Sequence, residues 1–285
     1  MCRLLAYRGH PIKMDMLLYK PYNSLIHQSY HALERHDPVN GDGFGVGWYL
    51  PEVDEQPAVF KSIRPAWNNL NLRSLAPRVR SGCLLAHVRA ASSGAVNEAN
   101  CHPFSYRELL MMHNGVIEDF VTIKRELVNR LDDNSFNWIK GETDSEYFFA
   151  LFLTHLKQWN GRLTTGEVQR ALRAAIRELK DIFKVKRIDK YFYLNLVISN
   201  GEWLVATRYD TNLKIESPTL YVSRGNRFFC EDTICRMEGQ SNPDGAVLIV
   251  SEKLTQRDED WQLIPEMHCV VVERDLNVSV RELNV

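Results

Sequence analysis

Met1-Cys2-Arg3-Leu4-Leu5 starts the chain, and a strand-like run, Arg3–Arg8, follows the cysteine at once. An initiator methionine ahead of a residue as small as cysteine is normally removed. Trimming leaves one residue with a thiol of ordinary pKa about 8.5 and an α-amine of about 7.7–8.0. A nucleophile and a base suited to neutral pH then share one residue at the tip of a strand. Taken alone, a cysteine at position 2 is only a small residue near a terminus, so its meaning depends on what lies downstream.

Further stretches carry usable chemistry. In His87-Val88-Arg89-Ala90-Ala91-Ser92-Ser93-Gly94 a strand-like run ends in small polar residues. An arginine there can clamp a carboxylate with two parallel hydrogen bonds, although read alone it is a surface arginine. Asn100-Cys101-His102-Pro103-Phe104 sets a histidine before proline, a turn position. No carboxylate or thiolate accompanies His87, His102 and His113 at ligand spacing, so no metal site is expected. In His113-Asn114-Gly115-Val116-Ile117 an apolar strand, Leu109–Met112, runs into Asn-Gly and then a helix. The plain reading is a strand–turn–helix junction with glycine at positive φ. The functional reading is an oxyanion hole, with the Asn114 amide and the Gly115 N–H aimed at one oxygen. Thr143-Asp144-Ser145-Glu146 reads as a capping box that places Asp144 in the first turn of a helix. The helix dipole favours a carboxylate there, and so would a role as receptor for a substrate ammonium group.

Around these motifs the chain is ordinary. Charged residues at 25% and hydrophobic residues at 45% exclude a disordered protein, and 35 basic against 36 acidic residues give no reason to expect nucleic acid or an anionic membrane as partner. Arg3, Arg8, Lys13, Asp15 and Lys20 rule out a signal-peptide core, and the apolar run Tyr147–Leu153 is too short to span a bilayer. A soluble cytoplasmic protein is expected. Cys83 and Cys269 lie in apolar strand-like runs and read as buried thiols. Cys230 and Cys235 are close in sequence but carry no assignment, and so sparse a set fits a reducing compartment.

Helical periodicity marks 120–131 and 168–183, the second with a capping box at Thr164 and Glu167. Strands are expected at 44–50, 58–63, 83–91 and 109–113, and again at 194–199, 203–209, 219–223, 246–250, 268–273 and 278–282. Asn200-Gly201 signals a tight hairpin. The basic patch Lys184-Val185-Lys186-Arg187 follows a helix C-terminus and reads as a solvated face. Asn40-Gly41-Asp42-Gly43-Phe44-Gly45-Val46-Gly47 matches no phosphate-binding fingerprint and reads as a turn feeding a strand that lets another backbone come close.

Taken in order, Met1-Cys2, the His-x-Arg-x-Ala-Ser run, Asn-x-His-Pro, His-Asn-Gly-Val-Ile and Thr-Asp-Ser-Glu resemble class II glutamine amidotransferase domains over Cys2 to about Glu146. Cys2–Leu5, Asn40–Trp48, Pro65–Asn69, His87–Ala90 and Asn100–Phe104 resemble a stand-alone branch of that family, the glutamine amidotransferase-like subunit of cytosolic glutathione degradation and its bacterial relatives. The later strands look like that branch too.

The resemblance implies an α+β fold, a four-layer αββα sandwich of the N-terminal nucleophile hydrolase type, filled by one domain over 1–285. It implies that Cys2 attacks, that Asn114 and Gly115 hold the oxyanion, that Arg89 with Ser92 holds an α-carboxylate, and that Asp144 holds an α-ammonium. The expected reaction is hydrolysis of a γ-glutamyl amide through a thioester, with no cofactor and no metal. The alternatives are a glutaminase subunit feeding ammonia to a separate synthase, and a non-catalytic glutamyl-binding module. A peptidase or synthase subunit is the partner implied. Two departures put ammonia gating in doubt: Ala90 stands where synthase-feeding relatives often carry tryptophan, and Ser93 stands where they carry histidine.

Overall fold

The structure, a computed structural model, describes residues 2–34, 39–91, 94–156, 162–212, 217–231, 234–239 and 245–285. Strand β1 (Arg3–Lys13) leads into short helices α1 (Asp15–Leu18) and α2 (Leu25–Tyr30). Strands β2 (Phe44–Leu50) and β3 (Asp54–Ser62), helix α3 (Leu70–Leu75) and strand β4 (Arg80–Val88) follow. Strands β5 (Phe104–Tyr106) and β6 (Leu109–Ile117) precede helices α4 (Phe120–Val128), α5 (Asp133–Trp138), α6 (Asp144–Leu156) and α7 (Thr165–Val185). The remainder is β7 (Phe192–Ser199), β8 (Leu204–Asp210), β9 (Tyr221–Gly225), β10 (Arg227–Glu231), β11 (Ile234–Glu238), β12 (Ala246–Val250), β13 (Gln262–Leu263), β14 (His268–Val272) and β15 (Val278–Glu282).

Side-chain alternation builds the layers. Along β1, Leu4 and Ala6 join one buried cluster while Leu5 and Tyr7 join another. Along β6, Leu110 and Met112 share the first of these clusters, and Leu109 and Met111 enter a third. A strand with both faces apolar is buried on both faces. The shared cluster is therefore the seam between two sheets. The outer two clusters lie under helices: α1, α2 and α3 on one side, and α4, α6 and α7 on the other.

Among the described residues one sheet has the order β13-β9-β12-β1-β4-β2-β3 and the other β15-β14-β8-β7-β6-β5. Every described strand pair is antiparallel. The expected αββα sandwich is the observed fold, and β1 lies inside its sheet, between β12 and β4.

Local signals held in several places. The Thr164–Glu167 capping box is present on α7. The Asn200-Gly201 turn joins β7 to β8, with Gly201 at φ 90°. Gly45 lets the chain come close, because a Cβ there would strike the His102 carbonyl.

Other expectations are corrected. Asn114-Gly115 is not a turn, since β6 continues through it to Ile117. Gly115 is needed for space rather than for positive φ: a Cβ would collide with the His113 ring and the Tyr193 carbonyl. The second capping box is half formed. The Thr143 hydroxyl accepts from Glu146 N–H at 3.3 Å, but the Glu146 carboxylate turns to the Lys140 and Gly141 N–H groups, at 2.9 and 2.7 Å. Cys83 and Cys269 are buried free thiols, yet Cys230 and Cys235 are bonded as a disulfide. The β10–β11 hairpin, not anticipated in the sequence, sets them directly opposite one another. Among the described residues no helix is long and apolar enough to cross a membrane.

Candidate active site

The register of β1 against β4 pairs Arg3 with Val88, so the residue before Arg3 comes beside the end of β4. Cys2 lies there, half-buried, with Sγ 3.4 Å from both the carbonyl and the N–H of Ala90. Alternation puts Cys2 on the same face as Leu4 and Ala6, toward the seam between the sheets. Burial pushes its thiol up, while the Ala90 contact and the Arg89 charge draw it back and Asp144 adds to the rise. Cys2 thus feels a cation and an anion from two different parts of the chain.

The cation, Arg89, directly follows β4. Its backbone is fixed against the glycine-rich turn, with Arg89 N–H donating to Gly43 O at 2.8 Å and Asp42 N–H donating to Arg89 O at 3.0 Å. Arg89 is 3% exposed, and its guanidinium donates to the carbonyls of Ala95 at 3.2 Å and Gly94 at 3.4 Å. Ser92 and Met1 lie outside the described residues.

The anion, Asp144, is the first residue of α6 and is buried. One carboxylate oxygen accepts from Ile117 N–H at 2.8 Å and the other from Ser145 N–H at 2.9 Å. The end of β6 is thereby bonded to the start of α6.

Asn114 follows Leu110 and Met112 on the seam face of β6, so it faces the layer that Cys2 faces from the other sheet. It is 2% exposed, and its side-chain Oδ1 has no hydrogen-bond partner among the described residues. A buried amide with an unpaired end is costly and invites a functional explanation. Gly115, next along, is half-exposed. Cys2 thus lies against the backbone next to Arg89, and Asn114 and Gly115 belong to the strand end that Asp144 bonds.

Two arrangements had not been read from the sequence. His113 points away from the seam, with Nε2 3.1 Å from Tyr193 O and Nδ1 2.8 Å from the Ser145 hydroxyl. A carbonyl only accepts, so Nε2 carries the proton and Nδ1 accepts from Ser145. Burial lowers the ring's basicity and keeps it neutral. Ser145 belongs to the quoted Thr-Asp-Ser-Glu string, but nothing in that string pointed to a histidine 32 residues earlier. The second arrangement is a buried ion pair. Arg3 Nε lies 2.8 Å from Glu252 Oε2, while Arg3 Nη1 donates to the Cys2 carbonyl at 3.0 Å.

His87 and His102 pack ring to ring, with centroids 4.3 Å apart, and burial drives the His87 pKa down to about 3. Among the described residues no group of three or more His, Cys, Asp or Glu is placed to hold a metal ion. A cavity of about 1120 Å³ opens at the opposite end of the sandwich, lined by Arg8, Tyr49, Arg80, Arg162, Glu202 and Arg274 among others. It contains none of the site residues above.

Residues 1–282 match the family described as Glutamine amidotransferases class-II. The chain belongs to that family. It is 36% identical to the probable glutamine amidotransferase DUG3 of Saccharomyces cerevisiae, over 96% of this chain and 82% of that protein. It is 28% identical to the gamma-glutamyl-hercynylcysteine sulfoxide hydrolase of Mycolicibacterium smegmatis, over 99% of this chain and all of that protein. Among solved structures, a glutamine aminotransferase class-II domain protein from Silicibacter pomeroyi superposes with a TM-score of 0.67 at 23% identity, covering 99% of each chain. The glutamine phosphoribosylpyrophosphate amidotransferase of B. subtilis superposes at 0.61 with 14% identity, and this amidotransferase-family chain covers 50% of it. Both likenesses bear on the fold, which is that of the N-terminal nucleophile amidotransferases.

Proposed function

We propose that this class II amidotransferase hydrolyses the amide bond of a γ-glutamyl compound, with Cys2 as nucleophile once Met1 has been removed. The observation that carries the reading is the seating of Cys2 Sγ against the Ala90 backbone, next to Arg89, at the end of the sandwich where the buried Asp144 carboxylate holds the end of β6. A glutamyl head is a zwitterion. Arg89, with Ser92, takes its α-carboxylate and Asp144 its α-ammonium, leaving the γ-carbonyl over the sulfur. The Cys2 α-amine takes the thiol proton, and the thiolate adds to the γ-carbonyl carbon. The oxygen becomes an alkoxide, received by the Asn114 amide and the Gly115 N–H. The C–N bond then breaks, with the amine leaving as it takes up the proton held by the α-amine. Water adds to the remaining thioester, glutamate departs and the thiol is restored.

Both sheets supply residues to this arrangement, which supports treating 1–285 as a single working domain. Hydrolysis is favoured over ammonia delivery because the chain resembles the mycobacterial hydrolase over 99% of its length. Ala90 in place of tryptophan agrees with that choice.

The test uses protein whose loss of Met1 is verified by intact mass. It is incubated with glutamine, glutathione and other γ-glutamyl amides while glutamate release is followed. Turnover that disappears in Cys2→Ala supports the proposal, and release unaffected by Cys2→Ala refutes it. A glutamine-mimicking diazoketone separates enzyme from binding module: stoichiometric labelling of Cys2, blocked by excess substrate, supports the enzyme, and no labelling supports the binder.

A further inference from the structure

We infer that Arg3 and Glu252 form a positioning pair for the nucleophile, an inference that rests on Cys2 being the attacking residue. Residues at a chain end fray unless tied down, whereas an attacking atom displaced by about 1 Å can lose roughly 100-fold in rate. Cys2 precedes the first strand-paired residue of β1, so pairing alone does not fix it. Its carbonyl is instead held by Arg3 Nη1 at 3.0 Å, and the same guanidinium gives Nε to Glu252 Oε2 at 2.8 Å. The two side chains are 3% and 2% exposed.

Glu252 is itself fixed: its other oxygen accepts from Asn23 Nδ2 at 2.9 Å and Leu33 N–H at 2.8 Å. The Cys2–Arg3 peptide is therefore referenced to the turns after α1, after α2 and after β12. The segment after β12 is also stitched to β1 by Leu4 N–H donating to Ser251 Oγ at 3.0 Å and Ser251 N–H donating to Leu4 O at 3.1 Å. Arginine suits this because a planar fork donates in two directions at once, while lysine is a single point charge. Stability alone is a weak reason for the pair, since buried ion pairs are often replaceable by apolar side chains without loss. Neither residue is assigned a contact with substrate; both act through the Cys2 backbone.

The test compares Arg3→Lys and the double substitution Arg3→Met/Glu252→Met with wild type, all with Met1 removed. Thermal unfolding, kcat, KM and the rate of Cys2 labelling by the diazoketone are measured. Arg3→Lys is expected to melt within a few degrees of wild type and the double variant lower, because Asn23 Nδ2 and the Leu33 N–H lose their acceptor; both should keep KM within about 2-fold, while kcat and labelling rate fall together by roughly 10- to 100-fold. A folded double-methionine variant with wild-type kcat overturns the inference and leaves the pair a packing feature. If that variant fails to fold, Arg3→Lys decides alone: unchanged kcat, or a change confined to KM, overturns it. Glutamate release that survives Cys2→Ala defeats the underlying assignment instead, which keeps the two failures distinct.

Discussion

At the Cys2 end of the sandwich, polar side chains are buried, and the two charged ones are held by backbone. Arg89 grips the Gly94 and Ala95 carbonyls, and Asp144 receives the Ile117 and Ser145 N–H groups. At the other end a cavity of about 1120 Å³ is lined by arginines and carboxylates, some of them paired with one another at the surface. Arg162 and Arg274, 54% and 66% exposed, both reach for Glu202. The second region holds open space, but the buried charge lies in the first. Preorganised charge in a dry setting is what stabilises a transition state, whereas exposed pairs contribute little and are screened by salt.

The sharpest way to break this contrast is Cys2→Ala. Glutamate release should fall by roughly 10⁴-fold or more, while Glu202→Gln in the large cavity should leave kcat within about 2-fold. A reversed result would move the active site to the other mouth.

Acid stability is the next largest effect. His87 is held neutral, with a pKa of about 3 in the fold against an unfolded value near 6.5, and His102 is depressed in the same sense. The unfolded chain therefore binds more protons between those values. The stabilisation is fully present above pH 6.5 and is lost as pH falls toward 3, by up to on the order of 5 kcal/mol for His87. Melting temperature measured from pH 7 to pH 4 should fall steeply, and less steeply in His87→Leu. A flat profile would mean that the seam beneath Cys2 is wetter than its burial implies.

Asn114→Ala comes third. Under the proposed mechanism it removes one oxyanion donor, and kcat should then drop by about 10²–10³-fold, or about 2.7–4 kcal/mol. Full activity in that variant would strip Asn114 of its role. Thiol chemistry adds a smaller test. Because burial raises the Cys2 thiol above its ordinary pKa, the thiolate fraction, and with it kcat/KM, should climb as pH rises from 6 through 9. Smallest of all, Glu202→Gln should change unfolding free energy by no more than about 1 kcal/mol.

Much of this was legible in the chain because it depends on local chemistry. Glycine-rich turns, caps and alternating strands announce themselves over a few residues, and the ordered motifs nominated Cys2, Arg89, Asn114, Gly115 and Asp144 as candidates. Asn114-Gly115 was misread in form, since an Asn-Gly pair is a turn signal by composition. Here the glycine is demanded by the His113 ring and the Tyr193 carbonyl, groups that only tertiary packing brings near. The partners of His113 and Arg3 were invisible for the same reason. Ser145 and Glu252 lie 32 and 249 residues away, and no periodicity reports such distances. The Cys230–Cys235 bond escaped because its hairpin was not anticipated.

The placement of β1 has a consequence for synthesis. Its neighbour on one side, β4, is made early, but the other, β12, is made near the end, with Leu5 paired to Val250 and Arg3 to Glu252. Contacts of such high sequence separation form late and slowly. A nascent chain still attached to the ribosome thus carries β1, with Cys2 just before it, on an unpaired sheet edge. The buried setting of Cys2 should therefore be completed only after the final strands emerge.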